Sequence, residues 1–234
     1  MPRQEEKFET VAHTRIRKNI GVHTLRSVNE IPQFHLQHLV DMEPFIALRN
    51  QLKAAEMERT PSFNDLIIKA VGLCLRKHPR FCAWVDDDEV KILESVNVGF
   101  AVSTEQGVLM PTVRDADSKP LADIAIETAE LVELARIGKL RASLQMGAGF
   151  SESNMGPIGI DSFAPIISPP QAAILGVGSI MPHAMVVGGE IVAYQSVHLT
   201  LVMDHRSSDG AEGAQFLADL RDLLVDPGEM AVGS

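Results

Sequence analysis

Residues 190–205, EIVAYQSVHLTLVMDH, read as one long strand. A strand of that length cannot satisfy its backbone alone, so the chain must supply a sheet around it. Val197, Leu199, Leu201 and Met203 share one face by period two, and a second layer has to cover that face. Met185, Val186 and Val187 precede it across Gly188 and Gly189, which marks a hairpin. If the strand runs on, His205 points to the same apolar side. A helix from about 209 to 224 offers a matching stripe in Phe216, Leu217, Leu220, Leu223 and Leu224, and Pro227 closes it.

The remaining segments alternate helix and strand. A helix over 9–27 is weakened by Gly21 and Thr24 and stops before Pro32. A strand over 34–40 and a helix over 43–57 follow. SFND at 62–65 is a capping-box pattern ahead of Leu66, Ile67, Ile68, Ala70, Val71, Leu73 and Leu75, which are apolar nearly all round and predict a buried helix ending at Pro79. Residues 90–114 read as two or three strands with a turn at Glu105, Gln106 and Gly107. Pro120 opens an amphipathic helix through about 142. Residues 147–178 are rich in Gly, Pro and Ser yet hold two strand-like runs. The whole predicts an α/β fold, one domain over residues 1–234, with no repeat or linker to divide it.

Composition narrows the function classes. A net charge of −10 excludes nucleic-acid binding through a broad basic face, and the one dense basic run, Arg15 to Lys18, has the form of a solvated helix face. Cys74 and Cys82 lack partners at metal spacing and fit a reducing compartment. The N-terminus MPRQEEKFET resembles no targeting segment, and no apolar run is long enough to span a bilayer, so a cytoplasmic location is expected and no membrane role. His198 falls on the strand face opposite His205, His35 and His38 have no accompanying Cys or carboxylate cluster, and no metal is expected. Phosphate-binding loops and G-x-S-x-G elbows are absent from the sequence.

A strand that delivers His205 and then turns through Arg206, Ser207, Ser208 and Asp209 into a helix can hold a general base rigidly, although the H-x-x-x-D spacing alone also suits a core histidine. The surrounding segments resemble the catalytic domain of the dihydrolipoamide acyltransferases of 2-oxo acid dehydrogenase complexes. Their D-H-R-x-x-D-G signature is met by Asp204, His205, Arg206, Asp209 and Gly210. FSESNMG at 150–156 and SPPQAAILGVG at 168–178 resemble a second family segment, and NVGFAVSTEQGVLMPTVRDAD at 97–117 and RKNIGVHTLRS at 17–27 extend the likeness. The resemblance implies a chloramphenicol acetyltransferase-like two-layer sandwich, a mixed β-sheet with helices packed on it. It implies that His205 deprotonates the thiol of coenzyme A or dihydrolipoamide, which an imidazole of pKa about 6.5 can do for a thiol of about 8.5. Ser153 takes the family's oxyanion-stabilising position. It lies 52 residues before His205, so only folding can bring the pair together, and the resemblance implies that they meet across a subunit boundary of a homotrimer. Asp209 is expected to hold the His205 loop, by an arginine ion pair or as an N-cap of the last helix. Asn154 and Gly156 match the motif and Arg17 matches a position near the coenzyme channel.

Two features depart from that pattern. No segment resembles the lipoyl and partner-binding domains of the usual member, which implies either a free-standing enzyme taking acyl groups from a separate lipoyl carrier protein or dehydrogenase-complex subunit, or one whose acyl donor is no longer the family's. The ending DPGEMAVGS is a poor apolar anchor, which implies an isolated trimer. Glu152 and Ser151 stand where Ile and Thr are usual. Transfer to a small-molecule hydroxyl or amine, and a non-catalytic trimeric scaffold, are the alternatives to thiol acylation.

Overall fold

The computed structural model describes residues 8–55 and 57–231. MPRQEEK, part of the targeting reading, and the last three residues of the tail lie outside them. The elements in chain order are α1 (Arg15–Glu30), β1 (Gln33–Asp41), α2 (Glu43–Ala54), α3 (Phe63–Lys77), β2 (Ala83–Val85), β3 (Val90–Ile92), β4 (Val98–Phe100), β5 (Val102–Thr104), β6 (Gly107–Leu109), β7 (Thr112–Val113), α4 (Leu121–Arg136), β8 (Phe150–Asn154), β9 (Ala173–Val177), β10 (Met181–Val187), β11 (Glu190–Asp204), α5 (Gly210–Val225) and α6 (Gly228–Ala231). The main sheet runs β1-β11-β9-β8-β4-β7, with β10 also on β11. Strand β9 is parallel to β8 and β8 to β4, and the other pairs are antiparallel, so the sheet is mixed as expected.

Strand β11 organises the molecule. Val197, Leu199, Leu201 and Met203 are buried together with Phe45 of α2, Leu66, Val71 and Leu75 of α3, Ile124 of α4 and Phe216 and Leu220 of α5 in one core, which makes sheet and helices the two layers. At roughly 1.5–3 kcal/mol per fully buried large apolar side chain, this interface supplies most of what holds the layers together. On the sheet's other face Ile31, Ile167, Ile174 and Val202 form a smaller cluster, where Ser27 Oγ of α1 donates to the Ile167 carbonyl at 2.6 Å. Gly188 and Gly189 have φ of 62° and 90°, the pair of positive values that a two-residue hairpin turn needs.

Several boundaries differ from the sequence reading. Helix α1 begins only at Arg15, because Thr14 caps it by accepting from Arg17 N, and it runs to Glu30 despite Gly21. Helix α4 stops at Arg136, where Gly138 at φ 68° turns the chain. The region 90–114 holds five short strands, two of them the β5–β6 hairpin around the expected turn. The Ser62–Asp65 capping box forms as read.

Candidate active site

Strand β11 ends at Asp204, one residue short of His205. The Asp204 carboxylate is fully buried and draws the chain back on itself. Its Oδ1 accepts from Arg206 N at 2.9 Å and from Nε at 3.0 Å, and its Oδ2 accepts from Arg206 Nη2 at 2.7 Å. His205 therefore does not continue on the apolar face, as alternation alone predicts. It stands exposed at the turn, its ring edge-on to Phe34 at 5.7 Å between centroids, while its backbone N–H donates to the Pro32 carbonyl at 3.0 Å.

The other side of the turn is held as firmly. Ser207 Oγ donates to the Arg80 carbonyl at 3.0 Å, and Arg80 Nη1 donates to the Ser207 carbonyl at 3.1 Å. Asp209 is the N-cap of α5: its Oδ1 accepts from Ala211 N at 2.8 Å and Glu212 N at 3.0 Å, while Glu212 Oε2 accepts from Asp209 N at 3.0 Å. These backbone donors, Glu212 first, hold its carboxyl below the ordinary carboxylate range. Of the two expected roles, capping is the one formed. Asp209 has no arginine partner among the described residues, and the arginine-paired acid is Asp204.

Ser153 sits at the far end of the same sheet, half-buried on β8. It lies opposite Gly176 of β9, and Gly176 lies opposite Thr200 of β11. Thr200 precedes His205 by five residues, so at about 3.3 Å per residue the two candidate groups of one chain are separated by roughly 16 Å along the strand direction alone. No hydrogen bond can link them within a chain. Asn154 and Gly156, next in sequence, form a corner: Asn154 Oδ1 accepts from Gly156 N at 2.9 Å. A Cβ on Gly156 would lie 2.6 Å from the Gly178 carbonyl, so only glycine fits there. The corner borders a cavity of about 250 Å³ lined by Phe45, Phe63, Ile67, Val177 and Ile180. Arg17 is exposed on α1, away from this corner.

Sequence reading missed two features. Glu152, between Ser151 and Ser153, is buried, with Oε1 accepting from Asn64 Nδ2 at 2.8 Å and Oε2 without a partner. Asn64 Oδ1 in turn accepts from Asn154 Nδ2 at 3.0 Å, so a chain of hydrogen bonds leads from Glu152 to the Gly156 corner. Burial pushes the Glu152 carboxyl up to about 8. The second is His198, which does have partners: Asp161 and His183 converge on it. No spacing in sequence announces either arrangement, because both depend on strand register and loop path.

Residues 5–232 match the model of the 2-oxoacid dehydrogenases acyltransferase (catalytic domain) family. The chain belongs to that family. It is 34% identical over 231 residues to the dihydrolipoyllysine-residue acetyltransferase component of the pyruvate dehydrogenase complex of Rickettsia bellii, covering 97% of this chain and 55% of that one. It is 36% identical over 227 residues to the succinyltransferase component of the 2-oxoglutarate dehydrogenase complex of Rickettsia typhi, covering 95% and 57%. This acyltransferase domain thus spans about half the length of the curated relatives it matches. Among solved structures, the Azotobacter vinelandii dihydrolipoamide acetyltransferase superposes with a TM-score of 0.91 at 32% identity, over 96% of this chain and 94% of that one. A structure with the same scores is the cubic core of a pyruvate dehydrogenase multienzyme complex. Chloramphenicol acetyltransferase, at TM-score 0.55 and 16% identity over 91% and 96%, shares the fold of the domain.

Proposed function

We propose that the chain is a single acyltransferase catalytic domain that moves an acyl group between coenzyme A and a dihydrolipoyl thiol on a lipoyl carrier, with His205 as general base and Ser153 as oxyanion donor. The observation that carries this is the His205 loop itself, an exposed imidazole on a turn fixed on one side by the buried Asp204–Arg206 pair and on the other by the Asp209 cap of α5. The study of the Azotobacter enzyme addressed the catalytic roles of a serine, a histidine and an asparagine. Their spacings are those of Ser153, His205 and Asp209, with aspartate here in place of asparagine.

Neutral His205 takes the proton of the attacking thiol, and the thiolate adds to the thioester carbonyl carbon. The oxyanion so formed accepts a hydrogen bond from the Ser153 hydroxyl. Collapse breaks the bond to the departing sulfur, and that thiolate recovers the proton from the His205 imidazolium. Asn154 and Gly156 shape the corner beside Ser153, and Arg17 is the coenzyme-binding candidate on α1. The apolar lining of the neighbouring cavity suits hydrocarbon parts of the acyl or lipoyl group.

Because Ser153 and His205 of one chain stand at opposite ends of the sheet, we place the complete site between two subunits of a homotrimer. Exposed apolar side chains support that association: Leu25 and Val28 on α1, Val186 and Ile191 at the hairpin tip. Two free, buried thiols, Cys74 and Cys82, support a reducing compartment, and we assign the cytoplasm. An assay with acetyl- or succinyl-coenzyme A and dihydrolipoamide tests the activity. We expect His205→Ala to lower kcat by about 10²–10⁴. Undiminished turnover in that variant, or transfer to small alcohols with none to dihydrolipoamide, overturns the assignment.

A further inference from the structure

We infer that Asp161, His183 and His198 form a binding site for one zinc(II)-class divalent cation, distinct from the acyl-transfer site and independent of it. His183 lies on β10 and His198 on β11, on the same face of the hairpin, with ring centroids 5.2 Å apart at 90°. Asp161 comes from the loop between β8 and β9. That loop is pressed onto the strand end: Ser179 N donates to the Ile160 carbonyl at 2.8 Å, and a Cβ on Gly178 would lie 1.9 Å from the Asp161 carbonyl oxygen. The approach is therefore built into the backbone.

Asp161 Oδ1 lies 2.9 Å from His198 Nδ1 and 3.3 Å from His183 Nε2, and one ligand atom from each residue falls within 4.8 Å of the others. Metal bonds of about 2.0–2.2 Å to imidazole nitrogen and carboxylate oxygen put neighbouring donors about 3 Å apart, which these separations approach. The proton count points the same way. The Met181 carbonyl can only accept, so His183 Nδ1, 3.1 Å away, donates to it. That leaves Nε2 of a neutral His183 with a lone pair facing a carboxylate oxygen. Two acceptors face each other stably only with positive charge between them, and a cation shared with His198 supplies it. A ligating histidine whose other nitrogen donates to a backbone carbonyl is the usual supporting arrangement.

Two imidazoles and one carboxylate favour zinc, cobalt or nickel over magnesium and calcium, which prefer oxygen-rich sites. Three protein ligands leave a position for water. The ion would tie the loop that follows the Ser153–Gly156 corner to the β10–β11 hairpin.

The test is equilibrium dialysis of the chelator-stripped full chain against zinc at about pH 7.5, where histidines are free to ligate, with cobalt substitution read by visible absorption. We expect one ion per chain, lost or weakened at least about 30-fold in His198→Gln and in Asp161→Asn, with His35→Gln and His38→Gln unchanged. Near-ultraviolet circular dichroism checks that each variant is folded. No zinc above background, or a stoichiometry that the folded Asp161 and His198 variants leave intact, overturns the site.

Discussion

Glu152 shows how one side chain can set both a hydrogen-bond path and a pH response. It occupies a position where the family segment carries an apolar residue, yet it is buried on β8 and terminates the donor chain from Gly156 through Asn154 and Asn64. Burial raises its carboxyl to about 8, while the unfolded chain holds it near 4.5. The folded state therefore binds the proton more tightly, and this group's contribution is fully present below about 4.5 and is lost as pH rises through about 8. Glu152→Gln keeps the acceptor for Asn64 and removes the titration. We expect the variant to gain stability over the natural chain between pH 5 and pH 8, by roughly 2–4 kcal/mol at the upper end. Urea unfolding at several pH values measures this, and parallel curves for the two proteins would contradict it. The sequence exposed His205 and Ser153 through their motifs; for Glu152 the one signal of burial was its place where the resembled segment has Ile, and its link to Asn64 and the Gly156 corner depends on packing that no local pattern encodes.

At the scale of elements, α5 and the turn before it act together. Asp209 closes α5 with two backbone hydrogen bonds, and the same residue fixes where the His205 turn ends. Asp209→Ala should cost about 1–2 kcal/mol of stability through the lost cap. It should also lower kcat by up to about 100-fold, because a shift of an ångström at a proton-transfer group is expensive. Asp209→Asn retains a capping oxygen and should restore most of the stability. A catalytic loss that persists in the asparagine variant would show that the charge acts on His205 directly. The elements themselves were largely legible: the 190–204 strand, the Gly188–Gly189 turn, the Ser62 capping box and the α5 stripe all appear as their patterns imply. Hydrophobic periodicity and capping chemistry are local, which is why they survive in the sequence. The miss at His205 came from side-chain pairing, which hydrophobic periodicity does not register. Alternation held through Met203, but the buried Asp204 pairs with Arg206 and ends the strand, and Arg206 also reaches Asp87 across the fold.

For the whole molecule, the sheet register makes a claim that no single side chain can make. Ser153 and Thr200 are level across the sheet, and His205 lies five residues beyond, so a chain by itself cannot bring its own serine hydroxyl to its own imidazole. The site is then a property of association, and two inactive variants should complement each other. When His205→Ala and Ser153→Ala chains are co-expressed and mix at random, a competent site needs the histidine of one chain type beside the serine of the other. Each site meets that requirement with a chance of one half squared, so the mixed population should recover about a quarter of natural activity, while each variant alone stays low. Sedimentation of the mixture should report trimers, and a 24-mer or 60-mer would correct the expected assembly without touching the complementation. Activity of the mixture no higher than the mean of the two variants would place both groups in one chain and contradict the register argument, since the strand rise leaves no path for them to meet without a partner.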